Sequence, residues 1–271
     1  MENTTIGFVG AGNMANSLIR GLLAIGTHAD SIIAADVDNE KLEILRTECG
    51  IRIADNQSIA SEANVMVLAV KPQVMEQVCT GISLQADSSL VVSVAAGITV
   101  EQLQSWLGSN TAVVRCMPNT PALVGKGATG LFANEFVSST QRALAESVMN
   151  SVGISVWVDN EIDIDTVTAV SGSGPAYYFL FMEAMQDAAR ELGLAEDIAK
   201  KLIYQTAAGA AELAIQSSDT TAELRRKVTS PGGTTEQALN TFEAGELRDL
   251  VKKALAAAKD RSIELAKELN N

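Results

Sequence analysis

Apolar residues follow two different rhythms along this chain, and the change between them divides it. In the first part, short continuous apolar runs alternate with stretches whose apolar positions recur every three or four residues. Ile6–Val9 is followed by Met14, Leu18, Leu22 and Ile25 on one helical face. Runs of the first kind return at Ser31–Ala35, Val65–Val70, Leu90–Val94 and Ala112–Cys116, as expected for strands buried on both faces. Between them the pattern predicts a polar helix over Asn39–Glu48, a short helix after Asp55-Asn56-Gln57, and another with Pro72 as its first residue. A short strand at Ile51–Ile53, strands near Ala128–Ala133 and Ile154–Val158, and a helix from Ser138 complete the alternation. The fold class is therefore α/β, a doubly wound parallel sheet.

From about Ile164 the pattern is helical only. Helices are expected over Gly174–Gly193, Ala195–Ser217, from Asp219, over Glu236–Glu243 and over Gly245–Leu269. The expected division is a dinucleotide-binding domain over 1–163 and an all-α domain over 164–271. Small residues such as Ala207–Ala211 suit close helix packing, within the chain or between subunits.

The chemistry sits in the breaks between elements. Gly10-Ala11-Gly12-Asn13-Met14-Ala15 joins the first strand to the first helix and reads G-x-G-x-x-A. Gly10 permits the tight turn, Gly12 lets backbone approach a pyrophosphate, and Ala15 lets helix and strand pack closely. Free N–H groups and the positive end of the helix dipole would face the phosphates. Asp36 closes the second strand, about twenty residues further on, where an acid reaches the adenosine ribose. Ligands of such sheets bind beyond the carboxyl ends of the strands. The turns at Asn56, Lys71-Pro72, Ala95-Ala96-Gly97 and Met117–Pro121 share that edge with Gly10–Ala15 and Asp36.

Two stretches of the second half carry signals of their own. In Ser230-Pro-Gly-Gly-Thr-Thr235, Thr234 with Gln237 fits a capping box, which makes Thr234 the N-cap and leaves the Thr235 hydroxyl free. Backbone N–H groups there suit a carboxylate or phosphate; a plain capped turn fits the motif equally well. Ser171-Gly-Ser-Gly-Pro-Ala-Tyr177 reads as a Gly/Ser turn opening a helix, or as a capped domain junction. Glu161, Asp163 and Asp165 before it read by default as a solvated acidic turn.

Composition narrows the rest. The 271 residues carry a formal charge of −13 and no dense Lys/Arg cluster, which argues against nucleic acid. No apolar run approaches the roughly 18 residues that span a bilayer, and no signal segment precedes Ile6, so no membrane partner is expected. Cys49, Cys79 and Cys116 are expected as buried free thiols of a cytoplasmic protein. With His28 as the sole histidine, placed in a loop, no histidine-based metal site or Ser-His-Asp triad is available, and no metal is expected.

Gly10–Ala15, Ala69-Val70-Lys71-Pro72, Ser93–Gly97, Met117–Pro121, Ser171–Tyr177 and Ser230–Thr235, taken together and in order, resemble pyrroline-5-carboxylate reductase. The resemblance runs from Ile6 to about Glu243. It implies a Rossmann domain followed by an all-α dimerisation domain, a homodimer or higher homo-oligomer, and reduction of 1-pyrroline-5-carboxylate to L-proline by NAD(P)H, the last step of proline biosynthesis. It further implies that the loop Ser230–Thr235 completes the partner subunit's active site. On these positions Gly10–Ala15, Asp36, Asn56, Ala69–Pro72, Ala96 and Gly97 would hold the cofactor. Glu161 would border the substrate ring, Ser230, Gly233 and Thr234 would bind substrate, and Thr235 would donate to the ring nitrogen. The imine needs a hydride and can take its proton from water, so no histidine is required.

One departure concerns the cofactor. The family habit favours NADPH, but Ala35-Asp36-Val37-Asp38-Asn39-Glu40 carries three carboxylates and no arginine, which favours NADH. NADPH is the expected cofactor, with NADH possible. A β-hydroxyacid dehydrogenase would need a lysine on the helix after the glycine-rich junction, and Tyr177–Arg190 has none. A non-catalytic nicotinamide-nucleotide sensor would have no need of a second anion site.

Overall fold

A computed structural model describes residues 4–84 and 89–269. Residues 1–3 and 270–271, at the ends of the two expected domains, lie outside the described residues. The chain forms two compact units. One comprises Met1–Pro175 together with Ala257–Asn271, the other Ala176–Ala256. The sheet-bearing unit thus runs past the expected boundary at residue 163 and takes in the end of the last helix.

The first unit is built on eight strands: β1 (Ile6–Val9), β2 (Ile32–Ala35), β3 (Arg52–Ile53), β4 (Val65–Leu68), β5 (Leu90–Ser93), β6 (Ala112–Met117), β7 (Gly127–Ala133) and β8 (Gly153–Trp157). Their order in the sheet is β3-β2-β1-β4-β5-β6-β7-β8. Chain order reverses between β1 and β4, the topological switch point at which such sheets hold ligands. Helices α1 (Asn13–Ala24), α2 (Asn39–Cys49), α3 (Asn56–Glu62), α4 (Met75–Thr80), α5 (Val100–Leu107), α6 (Ser139–Asn150) and α7 (Asp163–Val167) cover it.

Alternating side chains divide each central strand between two cores. Ile6, Phe8, Val65 and Val67 pack with Leu18, Leu22 and Val148 on one face. Val9, Met66 and Leu68 pack with Ile59, Met75 and Leu103 on the other. Burial on both faces accounts for the unbroken apolar runs.

Two elements differ from expectation. Strand β7 pairs antiparallel with β6, while β7 and β8 are parallel. Only a 3-10 turn, Thr120–Val124, connects β6 to β7, too short for the crossover that a parallel neighbour needs. The expected Gly/Ser turn after α7 is wound instead into a π-helical turn, Thr168–Gly172. There Ser173 N–H donates to the Thr168 carbonyl at 2.8 Å, and the hydroxyls of Thr168 and Ser171 donate to the carbonyls four residues back. Of the cysteines, all free, Cys79 and Cys116 are buried but Cys49 is only half-buried. His28 is exposed, as expected of a loop residue.

The second unit is helical. It contains most of α8 (Gly174–Glu191), then α9 (Glu196–Gln216), α10 (Thr221–Lys227), α11 (Thr234–Ala244) and the beginning of α12 (Leu247–Glu268), whose end belongs to the first unit. Phe181 and Phe242 meet with ring centroids 6.1 Å apart. It leaves many large apolar side chains exposed in the single chain, among them Tyr178, Phe179, Leu180, Leu192 and Leu202; the larger sheet unit exposes some as well, such as Leu123, Val124, Ile154 and Val156.

Candidate active site

The glycine turn is held from both sides. Gly10 adopts φ 99°, and its N–H donates to the Ala35 carbonyl at 2.8 Å. A Cβ at Gly10 would lie 2.7 Å from the Ala69 carbonyl oxygen, so only glycine lets the ends of β1 and β4 come this close. Gly12 is the N-cap of α1 and carries no side chain to cap it. Nothing lies within 4 Å of a Cβ built there, which leaves the space in front of the helix open. The N–H groups of the first turn have no acceptor in their own helix. The partial positive charge of the helix end adds to the attraction for an anion. Ala15 is fully buried beneath the turn.

Asp36 braces this turn. One carboxylate oxygen accepts the Ala11 N–H at 2.6 Å and the other accepts the Asp38 N–H at 2.9 Å. The Ala11 N–H is therefore already engaged, and Ala11 shapes the turn. Asp38 is the N-cap of α2, accepting from Glu40 and Lys41 N–H. The Lys41 ammonium, 3.2 Å away, with those N–H groups, holds its carboxyl below the usual range. Val37 is fully exposed beside them.

Beyond the strand ends lies a cleft of about 570 Å³, lined by Gly10, Asp36, Asn56, Val70 and neighbouring apolar side chains. Its walls are largely hydrophobic, as suits a flat heterocycle, with polar groups at the glycine turn. Asn56 opens α3 behind the N-cap Asp55. Ala69, Lys71 and Pro72 follow β4, with Lys71 exposed at the head of a 3-10 turn that Pro72 begins. Ala96 and Gly97 follow β5. Ala96 is exposed and Gly97 buried at φ 78°. Lys71, Pro72, Ala96 and Gly97 sit along the same sheet edge without lining this cleft.

Glu161 is not a solvated acid. Its Oε1 accepts the Val100 N–H at 2.8 Å and Nη1 of Arg115 at 2.9 Å. Among the described residues Oε2 has no partner. Asp165, expected in the same solvated turn, is buried and accepts the Ser262 hydroxyl at 2.7 Å. The glycine-rich junction is also tied down: the Asn119 side chain donates to the Ser171 carbonyl and accepts the Ala128 N–H. Two motifs far apart in sequence are thereby joined inside the first unit.

In the helical unit, Ser230–Thr235 does not adopt the expected capping box. Gly233, extended at φ −82° and ψ 171°, is the N-cap of α11, and no side chain caps the helix. Thr234 and Thr235 are its first two residues. The third, Glu236, reaches back to the Gly232 N–H at 2.8 Å. This fixes Gly232 at φ 71° and places the helix start one residue early. Gly233 N–H donates to the Ser230 carbonyl at 3.0 Å, so it is not free to hold a ligand carboxylate. The available donors are the N–H groups of Thr234, Thr235 and Glu236 and the two threonine hydroxyls, which have no partner among the described residues.

Comparison with known proteins decides the family. Residues 161–265 match the model described as pyrroline-5-carboxylate reductase dimerisation, and residues 5–97 the model described as NADP oxidoreductase coenzyme F420-dependent. The chain is 49% identical over 271 residues to a pyrroline-5-carboxylate reductase of Pseudomonas aeruginosa, covering 99% of both. It belongs to the pyrroline-5-carboxylate reductase family.

Solved structures agree. One from Coxiella burnetii superposes with a TM-score of 0.94 at 46% identity, over 97% of this chain and 98% of that one. The Plasmodium falciparum pyrroline carboxylate reductase, solved with NADP bound, gives 0.85 at 30% identity, over 98% and 99%. As a pyrroline-5-carboxylate reductase family member, the chain is an oxidoreductase with a Rossmann-like unit and a helical dimerisation region. Sequence reasoning missed the parts of its site that depend on tertiary contact: the brace from Asp36 to Ala11, and the buried Arg115 with Asp165 and Ser262. A lone arginine inside the apolar run Ala112–Cys116 was the available signal, since a buried guanidinium must be paired.

Proposed function

We propose that this chain reduces 1-pyrroline-5-carboxylate to L-proline, the last step of proline biosynthesis, as a cytoplasmic homo-oligomer. The observation that carries the reading is near full-length identity to reductases of that name, joined to a glycine turn whose open face fits a dinucleotide pyrophosphate. NAD(P)H supplies the hydride. The chain's own residues bind and orient. Gly12, Asn13 and Met14 present backbone donors to the phosphates, and Ala15 packs beneath them. Gly10 and Ala11 shape the turn, Asp36 and Asn56 border the adenosine cleft, and Ala69–Pro72, Ala96 and Gly97 border the cofactor along the sheet edge.

NADPH is the proposed cofactor, with NADH as an alternative. The two N–H groups on the Asp36 carboxylate offset part of the charge that would otherwise repel a 2′-phosphate.

For substrate, we assign the carboxylate to Ser230, Gly233 and Thr234, with the binding N–H groups those of Thr234 and Thr235. Gly233 contributes by giving the loop its close backbone approach. The Thr235 hydroxyl donates to the ring nitrogen, and Glu161 borders the ring through its unengaged Oε2. The exposed apolar side chains of the helical unit support assembly with a second copy, whose Ser230–Thr235 loop would complete the site. Free cysteines support a reducing compartment, and the charge of −13 argues against nucleic acid. No described helix is long and apolar enough to cross a membrane.

The test is oxidation of NADPH, followed by loss of reduced-nicotinamide absorbance, with pyrroline-5-carboxylate against other cyclic imines and ketones. Turnover confined to other substrates, or absent with all of them, would overturn the reading. Glu161→Gln is expected to raise KM for the imine and leave cofactor affinity near wild type.

A further inference from the structure

A buried polar chain runs from the last helix to the turn after β5. Ser262, on α12, donates to Asp165 Oδ1 at 2.7 Å. The same oxygen lies 4.0 Å from Nη2 of Arg115, whose Nη1 is 2.9 Å from Glu161 Oε1. That Glu161 oxygen accepts the N–H of Val100, the first residue of α5. Arg115 is 4% exposed, Ser262 7% and Asp165 8%. The Ser262–Asp165 end of the chain is therefore shielded from water, where hydrogen bonds to charged groups are stronger and unpaired groups cost more, while Glu161 at the other end is only part-buried.

The cluster contains two carboxyl groups and one guanidinium that cannot lose its proton. A chain of this kind holds only if neutral donors supply what the arginine does not. Val100 N–H, at the positive end of α5, and the Ser262 hydroxyl do so.

The same turn is clamped a second time by the same helix end. Gln102, in the capping box of α5, donates to the Leu269 carbonyl at 3.4 Å. A Cβ on Gly97 would lie 2.9 Å from Leu269 Cδ1. The end of α12 thus packs against Gly97, and from the same helix Ser262 reaches Val100, where the turn passes into α5, through Asp165, Arg115 and Glu161.

We infer that Arg115, Asp165 and Ser262 are positioning residues: they hold Glu161 and the start of α5, and so set the turn that carries Ala96 and Gly97. None of the three is proposed to touch a ligand. The inference rests on the proposed role of that turn in holding the cofactor.

Ser262→Ala removes one hydroxyl from a residue to which no ligand contact is assigned, and Asp165→Asn removes a charge while keeping the shape. NADPH dissociation constants would be measured by fluorescence titration on the folded oligomer, with melting temperature and light scattering alongside. Each variant is expected to weaken NADPH binding about threefold to tenfold, the scale of one hydrogen bond. The double variant should lose less than the sum of the two single losses, because both act on Arg115 and Glu161 through the same Oδ1. Unchanged NADPH affinity in folded Ser262→Ala, whatever its melting temperature, would overturn the inference and leave the cluster a packing device. Additive losses would overturn the relay. If the wild type binds NADPH but reduces no imine, the functional reading fails while the binding comparison still decides this one.

Discussion

The glycine turn at Gly10–Ala15 and the loop at Ser230–Thr235 begin in the same way and end differently. Each delivers the chain into a helix whose N-cap is a glycine, and neither helix start is capped by a side chain. Around the first, the molecule builds walls: β4 stands behind Gly10, Asp36 holds Ala11, and Ala15 is buried beneath. Around the second, the loop's hydrogen bonds among the described residues are local, Glu236 on Gly232 and Gly233 on Ser230, and most of it is exposed in the single chain. An uncapped helix start beside a walled cleft, at the end of the strand that carries it, is proposed as a site within one chain. The same start on an open surface is a set of donors that needs something opposite it, which is why the second loop is proposed to act on a partner.

The largest expected effect breaks the first region. Gly10→Ala forces a left-handed backbone angle on a residue with a side chain and drives its Cβ toward the Ala69 carbonyl. The expected cost is about 3 kcal/mol of stability or more, read as a fall in melting temperature together with lost cofactor binding. Gly12→Ala separates the two functions of the motif. Its φ of −71° is ordinary and no atom lies within 4 Å of the new Cβ. The fold should keep its melting temperature while NADPH affinity falls. Equal damage to stability by both variants would mean that the motif is only a packing turn.

Thr235→Val tests the second region. As hydride arrives, the ring nitrogen gains a lone pair that can accept the hydroxyl, so the contact strengthens toward product. Its loss is expected to lower kcat by an amount equivalent to roughly 2–4 kcal/mol, by analogy with oxyanion-hole donors. Wild-type kcat in this variant would remove Thr235 from the chemistry.

A smaller effect is expected at Asp36. Asp36→Ser removes a charge near the proposed 2′-phosphate and also the brace on Ala11. The ratio of kcat/KM for NADPH over NADH should rise, by up to one charge-pair interaction, about 1–4 kcal/mol near a surface. Lost bracing should weaken binding of both cofactors. A fall for both with an unchanged ratio would leave Asp36 as a brace alone.

These two regions also mark how far the residue pattern carries. Ile6–Val9 and Val65–Val70 announce a parallel sheet because burial on both faces demands unbroken apolar runs, and glycine in G-x-G-x-x-A has a local geometric cause. Both are legible in sequence. The antiparallel turn of β7 was hidden because Thr120–Val124 resembles any strand-to-helix loop. Arg115, Asp165 and Ser262 were hidden because their pairing spans distant segments, and no local spacing encodes a contact between positions 165 and 262.

The smallest effect separates the two threonines. The pattern Thr234…Gln237 predicts an N-cap at Thr234, whose loss would cost about 1 kcal/mol. The structure places Thr234 inside the helix, at its first residue, where a hydroxyl has no capping duty. The N-cap is Gly233, and the stabilising reach-back comes from Glu236 to Gly232 N–H. Thr234→Val should therefore change stability by no more than about 0.5 kcal/mol, as for an exposed position without a special contact. Glu236→Gln should cost slightly more, since a charged acceptor at a helix N-terminus is replaced by a neutral one. Because Thr234 is assigned to the substrate carboxylate chiefly through its backbone N–H, which valine retains, KM should rise only modestly. Thermal melts and imine titrations of Thr234→Val beside Thr235→Val provide the measurement. A melting temperature lowered only in Thr234→Val would restore the capping box. A kcat lost only in Thr234→Val would exchange the roles of the two residues.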